Sequence, residues 1–114
     1  MTINQLRGYR KLKGRKLLLQ SEIDKLILSG IEIDDPDIKW RKREVVRLDK
    51  EMKSVRDYLD NAEPYISTML RMHYIEGRRW KDIAQRVGGG NTQESIRKMC
   101  HRYVQKIHKD MPPS

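Results

Sequence analysis

Residues 36–61 read PDIKWRKREVVRLDKEMKSVRDYLDN, and this stretch decides the fold. Apolar side chains recur seven apart at Ile38, Val45, Met52 and Leu59, with a companion row at Leu48, Val55 and Ala62. That is a heptad seam along one side of a helix. Its start is marked three times over: Asp35 can cap, Pro36 suits the first helical position, and Asp37 stands where the helix dipole favours an acid. The spacing predicts a helix from residue 36 to about residue 61.

Upstream, Leu12, Leu19 and Leu26 are also seven apart, with Tyr9 and Ile23 in the companion row and Lys16 as an exception. Gly8 and Gly14 each cost about 1 kcal/mol against Ala in a helix, so helix before Gly14 depends on packing. Ser29-Gly30 ends this segment and residues 31–34 connect it to the next. A link so short makes the two helices antiparallel neighbours.

Charge supports the folding-back. Arg7, Arg10, Lys11, Lys13, Arg15 and Lys16 precede any acid, and Glu22, Asp24, Glu32, Asp34, Asp35 and Asp37 follow. A second basic block, Lys39, Arg41, Lys42, Arg43 and Arg47, is followed by Asp49, Glu51, Asp57, Asp60 and Glu63. The block at Arg7 to Lys16 is expected to face the acids near Asp57, the alternative being a nucleic-acid arm.

Past Pro64 the register changes. A third helical segment is expected to about Ile75, with Ile66, Met69, Leu70 and His73 or Tyr74 on its apolar side, and Gly77 as a left-handed cap. Trp80, Ile83, Ala84 and Val87 then share one face of a short helix that ends at Gly88. After Gly88-Gly89-Gly90, Asn91 and Glu94 read as a cap and capping-box pair. They launch a helix whose inward face is Ile96, Met99 or Cys100, Tyr103 and Ile107. Gln93, Glu94, Arg97, Lys98, His101 and Gln105 project from the other face, with Arg102 at its border. A short helix, a glycine turn and a second helix with a basic outer stripe meet the physical requirement of a helix-turn-helix.

These residues resemble a family. Tyr74-Ile75-Glu76-Gly77, Trp80-x-x-Ile83-Ala84-x-x-x-Gly88, Ser95-Ile96-Arg97-Lys98, His101-Arg102 and Ile107 resemble region 4 of bacterial sigma-70-type factors. More narrowly, they are similar to small phage and prophage late-gene regulators of the RinA and ArpU type. The resemblance covers about residues 64–108. It implies a recognition helix at about residues 92–109, with Gln93, Glu94, Arg97, Lys98, His101 and Arg102 toward promoter DNA. Two departures stand out: Arg79 occupies the place where the family has a Ser or Thr cap, and the glycine turn is about two residues longer than usual. The length leaves no room for a complete initiation factor.

The whole chain has 114 residues and net charge +9, with 37% apolar residues, 36% charged residues and no Phe. Residues 1–63 hold 15 basic and 12 acidic groups, whereas residues 64–114 hold 10 basic and 4 acidic. The unmatched excess therefore lies in the shorter half, which points to a polyanion. So little apolar surface argues against a compact enzyme with a deep pocket, and no phosphate-loop Lys-Ser/Thr follows the glycines.

Cys100 is the single cysteine, so no internal disulfide forms, and Cys100, His101 and His108 with His73 match none of the common zinc spacings. No cofactor is expected. No apolar run approaches the roughly 18 to 20 residues of a bilayer span, so a cytoplasmic, nucleoid-associated protein is expected. Tyr103 and Trp80 are expected in the core rather than stacked on bases.

The expected architecture is all-α: a coiled-coil-like antiparallel hairpin over residues 1–62, a helix-turn-helix over 63–109 and a tail over 110–114. The expected function is sequence-specific double-stranded DNA binding in transcription regulation. RNA polymerase and, through the hairpin, a second copy of the chain are further expected partners. A different class of function is also open, a small-terminase-like phage packaging or assembly adaptor with largely nonspecific DNA contact.

Overall fold

The computed structural model describes the backbone of residues 1–110 and the side chains of residues 1–106. Ile107, His108 and the tail from residue 110 therefore lie outside the described side chains. The described chain is all-helical: α1 (Ile3–Leu28), α2 (Pro36–Asn61), α3 (Pro64–Leu70), a π-helical turn at Arg71–Ile75, α4 (Trp80–Val87) and α5 (Gln93–Asp110). It divides into two compact units, Lys11–Ser54 and a second made of Met1–Arg10 with the chain from Val55 onward.

In the first unit α1 and α2 pack as an antiparallel hairpin. Asp35 caps α2, its Oδ1 accepting from the Asp37 amide at 2.9 Å while its carbonyl accepts from Lys39. At the other side of the bend, Gly30 takes φ +92°, its amide donates to Ile27 O and the Ile31 amide donates to Leu26 O. This paired closure satisfies carbonyls that the end of a helix leaves open, and only glycine takes such a φ without strain. Leu19, Ile23, Ile38, Leu48 and Met52 are buried between the arms, with Leu12, Leu26 and Val45 at the margin.

Lys16, the exception in the seam, reaches Asp49 at 2.6 Å. Arg15 meets Glu44 at 3.3 Å, and Arg41 meets Glu22 at 2.7 Å. Arg15 and Lys16 of the first basic block thus meet Glu44 and Asp49 across the hairpin. Each such exposed pair contributes about 0.2 to 1 kcal/mol, enough to select the pairing of the arms more than to hold them.

In the second unit the first turns of α1 are helical despite Gly8, because Leu6 and Tyr9 are buried there. The Tyr9 hydroxyl accepts from Arg56 at 3.2 Å. Val55 and Leu59 of α2 join the same core, together with Ile66, Met69, Leu70, Tyr74, Ile83, Ala84, Ile96, Cys100 and Val104. Glu63 caps α3, accepting from the Tyr65 and Ile66 amides, and its own amide donates to the Tyr103 hydroxyl at 2.9 Å. The Ser67 hydroxyl, also buried, donates to Leu59 O at 2.7 Å.

The third segment is α-helical only to Leu70. A π turn follows, in which the Glu76 amide donates to Arg71 O. The wider turn lets two adjacent rings, His73 and Tyr74, both reach Trp80, with centroids 4.0 Å and 6.1 Å away. Gly77 ends it at φ +76°, with a Cβ there lying 2.5 Å from the Arg10 guanidinium. The left-handed conformation favours glycine at that position, whereas the guanidinium is the end of a flexible side chain that can give way.

Leu6 supplies the direct test of the claim that the first turns belong to this core. Leu6→Ala is expected to cost about 2–5 kcal/mol in urea denaturation. Leu17→Ala, on the exposed side of α1, should stay within about 0.5 kcal/mol. Equal, small effects would mean that the first two turns are not packed.

Candidate nucleic-acid interface

The short α4 begins without a side-chain cap, since the Arg79 side chain makes no capping bond and instead reaches Asp82 at 3.3 Å. It is held from below by buried Ile83 and Ala84. Its carboxyl end closes on Gly88, whose amide donates to Ala84 O. Gly88, Gly89 and Gly90 all take positive φ, between 68° and 76°. The sharp reversal into α5 is therefore built from three residues that adopt this conformation without penalty.

The start of α5 differs by one residue from the expected cap. Thr92, not Asn91, is the N-cap: its Oγ1 accepts from the Ser95 amide at 3.1 Å and its carbonyl from the Ile96 amide. Asn91 instead closes the glycine turn, its side-chain amide donating to Gly88 O at 2.9 Å. Glu94 consequently does not complete a capping box. It lies 3.7 Å from Arg97 and 3.5 Å from Lys98.

Ile96, Cys100 and Val104 form the buried row of α5, with Met99 and Tyr103 at its edges. Cys100 thus takes the inward place that was open between it and Met99, and burial pushes its thiol up to about 12. Val104 is the row's third member, where the sequence reading placed Tyr103.

The six proposed contact residues are brought onto one helix with unequal freedom. Gln93, Glu94, Lys98 and Arg102 are exposed, whereas Arg97 and His101 are half-buried. His101 shares a 3.3 Å hydrogen bond with the Tyr74 hydroxyl and stands edge-on to Trp80. Trp80, Gln93, Glu94 and Arg97 line an open cavity of about 280 Å³ between the starts of α4 and α5. Trp80 is itself stacked on His73, which keeps it a packing residue.

One neighbour of the site went unread in the sequence. Arg7 lines a second cavity, of about 320 Å³, together with Asn4, His101 and Gln105. Its signal is membership of the first basic block, for which facing acids near Asp57 is the expectation and a nucleic-acid arm the alternative. In the structure it lies instead beside the flank of α5 and adds positive charge there.

Burial lowers the pKa of both histidines below the ordinary 6.5. For His101, Arg97, Arg7 and His73 add to the effect. The His73 Nδ1–H donates to Arg78 O at 2.7 Å and partly opposes it. None of the known protein families, curated proteins or solved structures compared with the chain matches it.

A base whose pKa is lowered by folding contributes stability that is complete above its unfolded value and is lost as the pH falls from there through the lower folded value. The thermal midpoint of the unit containing α5 should therefore be lower at pH 5.5 than at pH 7.5. The double variant His73→Gln/His101→Gln should show a smaller difference. An undiminished difference would place the acid sensitivity elsewhere.

Proposed function

We propose that the protein is a sequence-specific double-stranded DNA-binding transcriptional regulator, of the phage or prophage kind that its C-terminal residues resemble, with α5 as the helix laid in the major groove. The observation that carries this reading is a capped α5 whose outer face presents Gln93, Lys98 and Arg102 free of apolar obstruction, directly after a tight glycine turn. A major groove admits one such helix, and base edges there are read by side chains of these types.

Roles follow from chemistry. Gln93 suits an adenine edge, Glu94 the amino group of cytosine, and Arg97 or Lys98 a guanine edge. Half to two-thirds of protein–DNA hydrogen bonds go to phosphate and sugar, so at least one of Arg97 and Lys98 is assigned to the backbone. Their exposed pairing with Glu94 is weak enough to be exchanged for phosphate. The glycine turn, having no side chains, lets the chain approach the duplex closely.

We assign partner contact to the hairpin, with a second copy of the chain or RNA polymerase as the partner. The other reading, a packaging or assembly adaptor, is favoured by one observation: Leu17, Leu18 and Val46 are more than half exposed on the hairpin, which suits a ring or dimer seam. Sequence preference together with sedimentation separates the two.

Arg97→Ala/Lys98→Ala should weaken duplex binding in anisotropy titrations and flatten the salt dependence by about one unit of slope per lost phosphate contact. Titrations that match the unaltered protein would remove α5 from the interface.

A further inference from the structure

The second basic block of the sequence separates into two populations in the folded hairpin. Arg41 is taken by Glu22, and Arg47 lies between Glu44 and Glu51. Lys39, Lys42 and Arg43 of the block, and Lys50 beyond it, are all exposed, and no ion pair among the described residues engages them.

Helical geometry places these four together. At about 100° per residue, Lys39, Arg43, Val46 and Lys50 fall in a strip roughly 60° wide on the side of α2 opposite buried Leu48, with Lys42 beside it. At 1.5 Å per residue the strip runs about 16 Å from Lys39 to Lys50. The acids of this part of α2 lie off the strip, on the flanks where Glu44, Asp49 and Glu51 meet Arg15, Lys16 and Arg47.

Such a row is locally unfavourable, because like charges three and four apart on a helix repel. Lys39 with Lys42, and Lys39 with Arg43, are such pairs. The hairpin therefore keeps a face of uncompensated positive charge beside the three pairs that join Arg15, Lys16 and Arg41 to acids of the opposite arm. B-DNA presents about one negative charge per 1.7 Å of axis, so a strip of this length meets several phosphates at once.

We infer that the outer face of α2, through Lys39, Lys42, Arg43 and Lys50, is a second DNA-contacting surface that binds duplex phosphates without reading sequence. The identity of the polyanion rests on the DNA-binding reading of α5; the surface itself does not. It gives the hairpin a task of its own, which is to hold the protein on duplex DNA irrespective of sequence.

The test compares the full-length protein, the fourfold variant Lys39→Gln/Lys42→Gln/Arg43→Gln/Lys50→Gln, and Arg97→Ala/Lys98→Ala on a random-sequence duplex across a salt series. The fourfold variant is expected to flatten the slope of log K against log salt by about three to four units. At 0.1 M salt its binding should weaken by roughly a thousandfold, at 0.9 unit of slope per contact. Its thermal midpoint should equal or exceed that of the unaltered protein, since repulsion is removed. If its melting curve nonetheless differs, Lys39→Gln/Arg43→Gln carries the test with half the slope change expected.

A fourfold variant that binds duplex as the unaltered protein does overturns the inference, whether or not the α5 variant loses affinity. Retained duplex binding with lost binding to polyglutamate overturns it in favour of an acidic protein partner. Lost duplex binding in the fourfold variant beside an unaffected α5 variant supports the strip and contradicts the reading of α5. No duplex binding by the unaltered protein at low salt removes both.

Discussion

Burial of a single apolar row along α2 is the constraint on which the other helices depend. Ile38, Leu48 and Met52 hold the hairpin arms together, and Val55 and Leu59 of the same row enter the core that contains α3, α4 and α5. Each fully buried Leu or Ile contributes about 1.5–3 kcal/mol. In a chain with no Phe and only 37% apolar residues, few other sources of comparable size exist. The thin seams also explain the composition: helices packed in narrow layers need no wide interior, which leaves most of the surface for charge. Among the described residues, no helix is long and apolar enough to cross a membrane.

How much was legible in the sequence follows from whether the deciding contacts are local. The hairpin's second helix was, because its cap at Asp35, its proline and its heptads all lie within the segment they define. Lys16 looked like a defect in the first seam until Asp49, 33 positions on, supplied its partner. The fate of the first turns was not legible: two glycines argue against helix, and the burial of Leu6 and Tyr9 that outweighs them involves residues beyond Val55. For the same reason the place of Arg7 beside His101 has no local signal in the basic block that contains it.

At the candidate site, the order of helix, glycine turn and helix was readable, and the cap was misplaced by one residue. Asn91 and Thr92 are both good caps in isolation. Asn91 is drawn into the turn, where its backbone and side-chain amides both donate to Gly88 O, and Thr92 is left to cap α5. The π turn at Arg71–Ile75 carried no local signal, since it depends on His73 and Tyr74 both meeting Trp80.

The charge of +9 is thereby apportioned. Arg15, Lys16, Arg41 and Arg47 are spent on pairing within the hairpin, whereas Lys98 and Arg102 on α5 and the Lys39 to Lys50 strip on α2 face solvent. We propose that α5 is what meets DNA base edges. Backbone amide shifts recorded while an isotope-labelled protein is titrated with a duplex selected from a random pool test it most directly. The largest changes are expected in the glycine turn and over residues 92–102. Unmoved amides in that segment, with changes confined to other helices, would contradict it.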